Sequence, residues 1–242
     1  MAHDRCVDAP ATADDVRSAL AELSNPADAV ELQRYFKTGP GEYGEGDVFI
    51  GVRVPATRKV VARYRGLPYD EIDALLDDPV HEHRLAGVLL LVEATRRDPE
   101  RAAERYLAAV RRGRVNNWDL VDASAEFVLG TWLYDRDRSL LFELAESPVL
   151  WERRVAVLST FGFLKRGDVT TTLALAERLL GDREDLIHKA VGWMLREMES
   201  RVSVDELRRF LDTHAARMPR TMLSYATEHL MPEERAKYRA LR

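Results

Sequence analysis

A repeated interval of 35 residues constrains the fold of this chain more than any other feature of its sequence. The interval separates four polar residues that stand early in apolar segments: Arg84, Asp119, Arg154 and Lys189. Within each segment the apolar residues recur at helical spacing, which predicts buried helices. Sequence periods of about 20 to 50 residues are typical of repeat architectures such as stacked helix pairs. We therefore predict an all-α solenoid built from paired helices.

Helix boundaries follow from proline, glycine and capping residues, which mark where a helical pattern begins and ends. Helix pairs are predicted at about 69–77 with 81–96, 99–112 with 117–133, 137–146 with 149–164, 168–180 with 184–199, and 203–215 with 218–230. Single helices are predicted at 12–24, 26–37 and 56–64, and the polar segment 232–242 suits a cap. Residues 1–10 are predicted to be disordered. No change of composition marks a domain boundary, so we predict one repeat domain over residues 1–242.

The composition excludes several classes of protein. A single cysteine, Cys6, excludes a disulfide framework, a cysteine-rich zinc site and an iron–sulfur cluster. His81-Glu82-His83 lacks the four-residue spacing of a helical zinc pair, so we expect neither a metal nor a cofactor. The chain has no membrane-length apolar run and no signal-peptide core, and we expect a cytoplasmic monomer. Its net charge of −5 argues against indiscriminate nucleic-acid binding but allows a locally basic groove.

The segment from residue 116 to residue 122 places an aromatic side chain and a carboxylate at the start of a predicted helix. Asn116 or Asn117 is suited to cap this helix, and Trp118 and Asp122 share one helix face because they are four residues apart. In the 35-residue register, Asp122 shares its column with small or apolar residues: Gly87, Val157 and Gly192. Four side chains are predicted to line one face of the stack: Trp118, Asp122, Arg154 and Trp193. A carboxylate beside an electron-rich indole suits a cationic ligand.

Each of these residues also has a purely structural interpretation. A buried Asp122 paired with an arginine would fix the register of the repeats without taking part in chemistry. Trp118 and Trp193 would then be core residues, while Arg153 and Arg154 would belong to a solvated face. Pairing of Asp122 with an arginine would therefore favour a scaffold, whereas an open carboxylate between two indoles would favour an enzyme.

The segment Thr38–Asp47 is the glycine-rich part of the chain, and it interrupts the helical pattern. It matches neither a Walker loop nor a dinucleotide fingerprint, because no strand precedes it and no Gly-Lys-Ser/Thr follows. A surface turn and a substrate-contacting loop are both consistent with this composition. In the second case Tyr43 would stack on a base or a sugar.

Three blocks of the sequence resemble the AlkD-type DNA alkylation repair glycosylases. The blocks are Trp118-Asp-Leu-Val-Asp122, Trp151-Glu-Arg-Arg-Val-Ala-Val-Leu158 and Lys189-Ala-Val-Gly-Trp-Met-Leu-Arg-Glu197. Tyr35-Phe-Lys37 and Phe49-Ile-Gly-Val-Arg-Val-Pro55 resemble the N-terminal signature of the family, so the resemblance extends from about residue 30 onward. It implies a right-handed superhelical solenoid of HEAT-like helix pairs. The insert at 38–47 is longer than in the family pattern, which bears on the range of substrates.

Members of that family excise positively charged N3- and N7-alkylated purines, and the implied partner is duplex DNA with alkylated bases. The resemblance implies catalytic roles for Trp118, Asp122 and Trp193, as an aromatic–carboxylate–aromatic cleft around the deoxyribose and phosphate of the damaged nucleotide. It also matches Arg154 to a DNA-backbone contact and Tyr35 to an aromatic residue near the cleft. Further DNA contacts are predicted for basic side chains of the inner columns and for the loop tyrosine: Arg84, Arg153, Lys189 and Tyr43.

The chemistry is consistent with these residue types. An alkylated purine cation leaves without a strong acid, and the sugar left behind resembles an oxocarbenium ion. A fixed Asp122 carboxylate stabilises that charge or positions the attacking water, and the sequence does not separate these two roles. The alternative function is a non-catalytic repeat scaffold that binds DNA or a protein through its concave face. A helix–hairpin–helix glycosylase is disfavoured, because no Gly-x-Gly hairpin lies between paired helices near a catalytic aspartate.

Overall fold

The computed structural model of this chain describes residues 10–241, and their regular elements are helices. Within this range the only β-type pairing is an isolated parallel bridge between Val48 and Val80. The predicted all-α class is therefore confirmed. The predicted disordered lead-in at 1–10 lies outside the described residues except for Pro10, as does Cys6.

The chain divides into two compact units, Met1–Asp98 and Pro99–Arg242. The first unit contains α1 Ala13–Ala21, α2 Pro26–Tyr35, α3 Val54–Arg63, α4 Tyr69–Leu76 and α5 His81–Ala94. Helix α5 is its central element, because it packs against α1, α3 and α4 and buries side chains along almost its whole length. A helix that is buried on all sides needs little amphipathic pattern, and α5 is apolar from Leu85 to Leu91 apart from a glycine.

The second unit is organised around α9 and α12. Its helices are α6 Pro99–Arg111, α7 Trp118–Asp122, α8 Ser139–Ala145, α9 Leu150–Ser159, α10 Phe161–Leu164, α11 Thr170–Arg178, α12 Asp185–Arg201, α13 Val204–His214, α14 Arg220–Ala226 and α15 Pro232–Ala240. Helix α9 packs against α7, α8 and α12, and α12 in turn packs against α11, α13 and α14. The arrangement of successive pairs into a superhelix, and the single repeat domain over 1–242, stay predictions.

The predicted helix positions are confirmed to within a few residues, because local signals set them. Asn25 caps α2 with a side-chain oxygen 2.9 Å from the Ala27 amide, and Asn117 caps α7 in the same way at the Trp118 amide, 2.8 Å away. Ser203 likewise caps α13.

The prediction of one continuous helix over 117–133 is wrong. Helix α7 ends at Asp122, and a π-helical turn follows at Glu126–Gly130. The predicted helix 149–164 is also divided, at Thr160. Close backbone packing accompanies both irregularities, since a Cβ on Gly130 would lie 2.2 Å from the carbonyl oxygen of Ser159. A Cβ on Gly162 would lie 3.1 Å from the backbone of Gly130.

Candidate functional site

Asp122 forms a two-bond ion pair with Arg154. Arg154 donates from Nε to Asp122 Oδ1 at 2.9 Å and from Nη2 to Oδ2 at 2.7 Å. Its remaining terminal nitrogen, Nη1, donates to the carbonyl oxygen of Leu186 at 2.6 Å. A single guanidinium thus connects α7, α9 and α12, and the planar fork fixes the orientation of the carboxylate.

This pair corrects the predicted register. The 35-residue interval placed Asp119 beside Arg154, whereas the observed partner Asp122 is 32 residues from it. The interval between α7 and α9 is therefore shorter than the interval predicted from the other helices. Arg84 also does not occupy the register position predicted for it. Its Nη1 donates to the carbonyl oxygens six and five residues earlier in the chain, and Nη1 of Arg153 donates to carbonyl oxygens at the same two spacings. Arg84 is thus the counterpart of Arg153 and not of Arg154.

Asp122 lies at the edge of the core. Its side chain is 20% exposed, whereas that of Arg154 is 6% exposed. Burial raises the pKa of Asp122, the charge and hydrogen bonds of Arg154 lower it, and the negative charge of Asp119 raises it again. The net effect is a pKa above that of an ordinary aspartate. The pairing matches the register-fixing interpretation, while the side chain stays one-fifth exposed.

A buried tyrosine near Asp122 was not predicted from the sequence. The hydroxyl groups of Tyr106 and Ser124 are hydrogen-bonded at 2.9 Å, and both residues are fully buried. Burial raises the pKa of Tyr106, and the negative charge of Asp122 raises it further. Tyr106 therefore stays neutral beside the carboxylate. No sequence signal distinguishes it from the other core residues of α6.

The two predicted tryptophans are half-buried. Trp118 is the first residue of α7, one turn before Asp122 on the same helix face. Trp193 lies seven residues after Leu186 on α12, which is two helical turns along the same face. Its ring lies 6.0 Å from the ring of Phe161, at an interplanar angle of 55°.

Glu197 holds the indole of Trp193 and was also missed by the sequence analysis. Trp193 Nε1 donates to Glu197 Oε1 at 3.0 Å, and Arg201 Nε donates to the other carboxylate oxygen at 2.7 Å. Burial alone would raise the pKa of Glu197, but the hydrogen bonds from Arg201 and Trp193 and the charges of Arg201 and Arg196 bring it below its usual value. The contact could have been predicted from the sequence, because a tryptophan and a glutamate four residues apart on a helix lie on the same face.

The basic residues predicted to contact DNA differ in their freedom to do so. Arg153 is committed to Asp182, with Nε 2.7 Å from the carboxylate, and to the carbonyls of Ser147 and Pro148. Lys189 forms an ion pair with Asp185 at 2.8 Å, but both side chains are substantially exposed. Of these two residues, Lys189 is thus the one whose charge is presented to solvent.

Arg84 lies in the first unit, and its burial contradicts the prediction that it contacts DNA. Its side chain is 3% exposed, and Nη2 donates to Asp47 Oδ1 at 2.5 Å. The other oxygen of Asp47 is 2.9 Å from Nδ1 of His81. A guanidinium enclosed in this way does not reach a phosphate, so its role is to hold Asp47 in place.

The glycine-rich segment is a series of turns, as its composition predicted. Its C-terminal end is fixed by Asp47. The residues that follow are fixed by Glu82, whose buried carboxylate accepts hydrogen bonds from the amides of Ile50, Gly51 and Val52. Tyr43 is half-buried, with Lys37 Nζ 5.9 Å from its ring centre. Tyr35, at the end of α2, is largely exposed.

His81 and Glu82 are thus occupied by an aspartate and by backbone amides. Within residues 10–241, no group of three or more histidine, cysteine or acidic residues is arranged to hold a metal ion. The same part of the chain contains no helix with the length and apolar character needed to cross a membrane.

Comparison with known proteins gives the family of this chain. The family model for the DNA alkylation repair enzymes matches residues 16–230. The chain belongs to this family of DNA alkylation repair enzymes. No curated protein matches the sequence.

A solved structure shares the fold. It is described as a predicted DNA alkylation repair enzyme from Enterococcus faecalis, and it superposes with a TM-score of 0.70 at 18% sequence identity. The match covers 86% of this chain and 97% of the other. Membership of the family places the role of this chain in the repair of alkylated DNA, and the resemblance found in the sequence is confirmed.

Proposed function

We propose that this protein is a DNA glycosylase that excises positively charged N3- and N7-alkylated purines from duplex DNA. The observation that carries the proposal is the 20% exposure of the Asp122 side chain, which Arg154 holds in a fixed orientation; the pairing alone suits a scaffold as well. Half-buried indoles occupy the same unit, at Trp118 and Trp193. The family to which the chain belongs supports a substrate of alkylated DNA.

The proposed chemistry needs little from the protein beyond a fixed negative charge. Alkylation gives the purine a positive charge, so the base departs with its bonding electrons and no strong general acid is required. The remaining sugar develops oxocarbenium character, which the Asp122 carboxylate stabilises because it is already oriented when the charge forms. The faces of Trp118 and Trp193 favour the same cation. Asp122 is also placed to orient the attacking water.

In this proposal Arg154 is a positioning residue and not the DNA-backbone contact that the resemblance implied. All three guanidinium nitrogens already donate to Asp122 or Leu186. Its positive charge also favours the ionised carboxylate, because it opposes the effect of burial on the pKa of Asp122. We propose Lys189, Tyr35 and Tyr43 as the residues that contact DNA, within the solenoid of HEAT-like helix pairs implied by the resemblance.

The test is base release from duplex DNA carrying one N7-methylguanine. We expect the protein to release the free base under single-turnover conditions, and Asp122→Asn to release it far more slowly with unchanged affinity for the duplex. A protein that binds this duplex tightly without releasing the base would support the alternative, a scaffold that binds DNA without catalysis. Binding of undamaged and damaged duplex should be measured in parallel, since a scaffold has no need to distinguish them.

A further inference from the structure

Phe127, Lys165 and Phe161 form a surface of alternating aromatic and cationic side chains in the second unit. Phe127 is 41% exposed, which is more than any other phenylalanine or tryptophan within residues 10–241. Lys165 Nζ lies 5.4 Å from the ring centre of Phe127 and 4.5 Å from that of Phe161. Arg201 lies on the same ring of Phe161, with Cζ 5.0 Å from its centre.

The irregular helices of the second unit create this surface. The π-helical turn Glu126–Gly130 directs Glu126 inward and leaves Phe127 outward. Gly162 packs against this turn, where a Cβ would lie 3.1 Å from the backbone of Gly130, and this contact fixes the adjacent Phe161 next to the turn. A π-helical turn is a costly irregularity that recurs at functional sites. Here it exposes an aromatic ring that a regular helix would place differently.

The two cations are balanced by carboxylates. Lys165 Nζ is 2.5 Å from Glu126 Oε1, and Arg201 is paired with Glu197. These ion pairs fix the cations against the rings and leave little net charge. Because both cations already lie over the ring of Phe161, a ligand of this surface stacks mainly on the exposed ring of Phe127. It is held only weakly by charge, which suits a planar nucleobase better than a phosphate chain.

The surface continues directly into the candidate site. The ring of Phe161 lies 6.0 Å from that of Trp193, and Glu197 joins the two through its hydrogen bonds to Trp193 and Arg201. A nucleotide next to the one held at Trp193 would thus meet Phe161 and Phe127. Duplex DNA offers ring faces for stacking only where a base has left the helix.

We propose that the Phe127–Lys165–Phe161 surface binds an unpaired nucleotide of the DNA by stacking of its base. The choice of DNA as ligand rests on the proposed function. The surface would stabilise the locally unpaired state of the duplex on either side of the lesion.

The test uses the full chain and an unmodified single-stranded oligothymidylate, with binding measured by fluorescence anisotropy. Alanine substitution of a stacking aromatic weakens single-strand binding by about 5- to 150-fold. We expect such a loss for Phe127→Ala, and a similar loss for Phe127→Leu because leucine keeps the apolar volume but has no ring face. Since stacking dominates, the ratio of wild-type to variant affinity should change little between low and high salt.

The matched control is Phe142→Ala. Phe142 also carries a cation on its ring, with Arg178 Cζ 5.5 Å from its centre, and Arg178 is likewise paired with a glutamate, Glu146. This variant should bind the oligonucleotide like the wild type. Equal affinities of Phe127→Ala, Phe161→Ala and the wild type would overturn the inference, as would an equal loss in Phe142→Ala.

The outcome is separable from that of the proposed function. A wild-type protein that releases N7-methylguanine while Phe127→Ala and Phe161→Ala keep full affinity for the single strand would reject only the stacking surface. A wild-type protein that releases no base while Phe127→Ala loses affinity would reject the glycosylase and keep the surface. Circular dichroism of Phe127→Ala should match the wild type, because the side chain is largely exposed.

Discussion

Arg154 donates two hydrogen bonds to the carboxylate of Asp122 and a third to the backbone of α12. Because Arg154 is buried and Asp122 is partly open, the pair has one side in the core and the other at the surface. Under the proposed function, Asp122 contributes to stability and to chemistry together. The two contributions can be separated by substitutions that remove the charge, or the whole side chain, of Asp122.

Asp122→Asn should lose activity and keep most of its stability. The amide retains an oxygen that accepts from Arg154 but carries no negative charge for the transition state. We expect single-turnover excision to fall on the order of 100- to 1,000-fold with little change in DNA affinity. Asp122→Ala should in addition lose about 3–5 kcal/mol of unfolding free energy, because it leaves Arg154 buried without its carboxylate.

The control for this prediction is Asp182→Asn, which alters the neighbouring ion pair with Arg153. It should change stability about as much as Asp122→Asn does, because the two ion pairs are alike, without slowing excision. Normal excision by Asp122→Asn, together with a large drop in melting temperature, would make Asp122 a register-fixing residue.

The pH dependence of excision should show an acidic limb set by Asp122. Its pKa is raised by burial, and only the ionised carboxylate stabilises a cation, so the rate should rise with pH through this raised pKa and then level off. Arg154→Gln removes the positive charge that lowers the pKa of Asp122, and the limb should therefore move to higher pH. Arg153→Gln should leave the limb in place. Single-turnover rates measured from acidic to neutral pH would show a shift in either variant.

Glu197 should act through the indole that it holds. Glu197→Gln keeps an acceptor for Trp193 Nε1, whereas Glu197→Leu removes it and frees the ring to turn. Misplacement of a reacting group by about 1 Å costs on the order of 100-fold in rate. We expect a loss approaching this size in Glu197→Leu and a smaller one in Glu197→Gln, with Trp193 fluorescence altered mainly in the leucine variant. Equal excision rates in Glu197→Leu and Glu197→Gln would show that Glu197 does not position the indole of Trp193.

Gly130→Ala should disrupt the packing beneath the candidate site. The added Cβ would lie 2.2 Å from the Ser159 carbonyl oxygen, so α9 and the π-helical turn must move apart. Overpacking of this kind costs about 1–3 kcal/mol or more. Gly181→Ala is the matched control, since nothing lies within 4 Å of a Cβ there, and it should be neutral or slightly stabilising. Urea denaturation of both variants gives the comparison.

The helices of this fold could be predicted from the sequence because their ends depend on local chemistry. Asn25, Asn117 and Ser203 are caps that act within three residues of themselves. The break after Asp122 could not be predicted in the same way. It depends on the approach of Gly130 to Ser159, and a contact between residues that are distant in sequence leaves no periodic signal.

The roles of Trp118, Asp122 and Trp193 stay predictions, drawn from residue type and resemblance. The sequence indicated pairing with an arginine as one alternative for Asp122 but did not identify which arginine. An average interval of 35 residues cannot show that one connection is shorter, and a shift of three residues changes which side chains meet. Arg84 was misjudged for a related reason, because only the packed structure shows that Asp47 encloses it.

The C-terminal end of the glycine-rich segment is tied to α5 through Asp47 with His81 and Arg84, and the residues that follow it are tied through Glu82 with the amides of 50–52. Both anchors lie after residues 39–46 and do not involve them. We therefore expect loops of other sequences to be accepted at 39–46 without loss of these contacts to α5. This segment is therefore a natural position for loop grafting between family members.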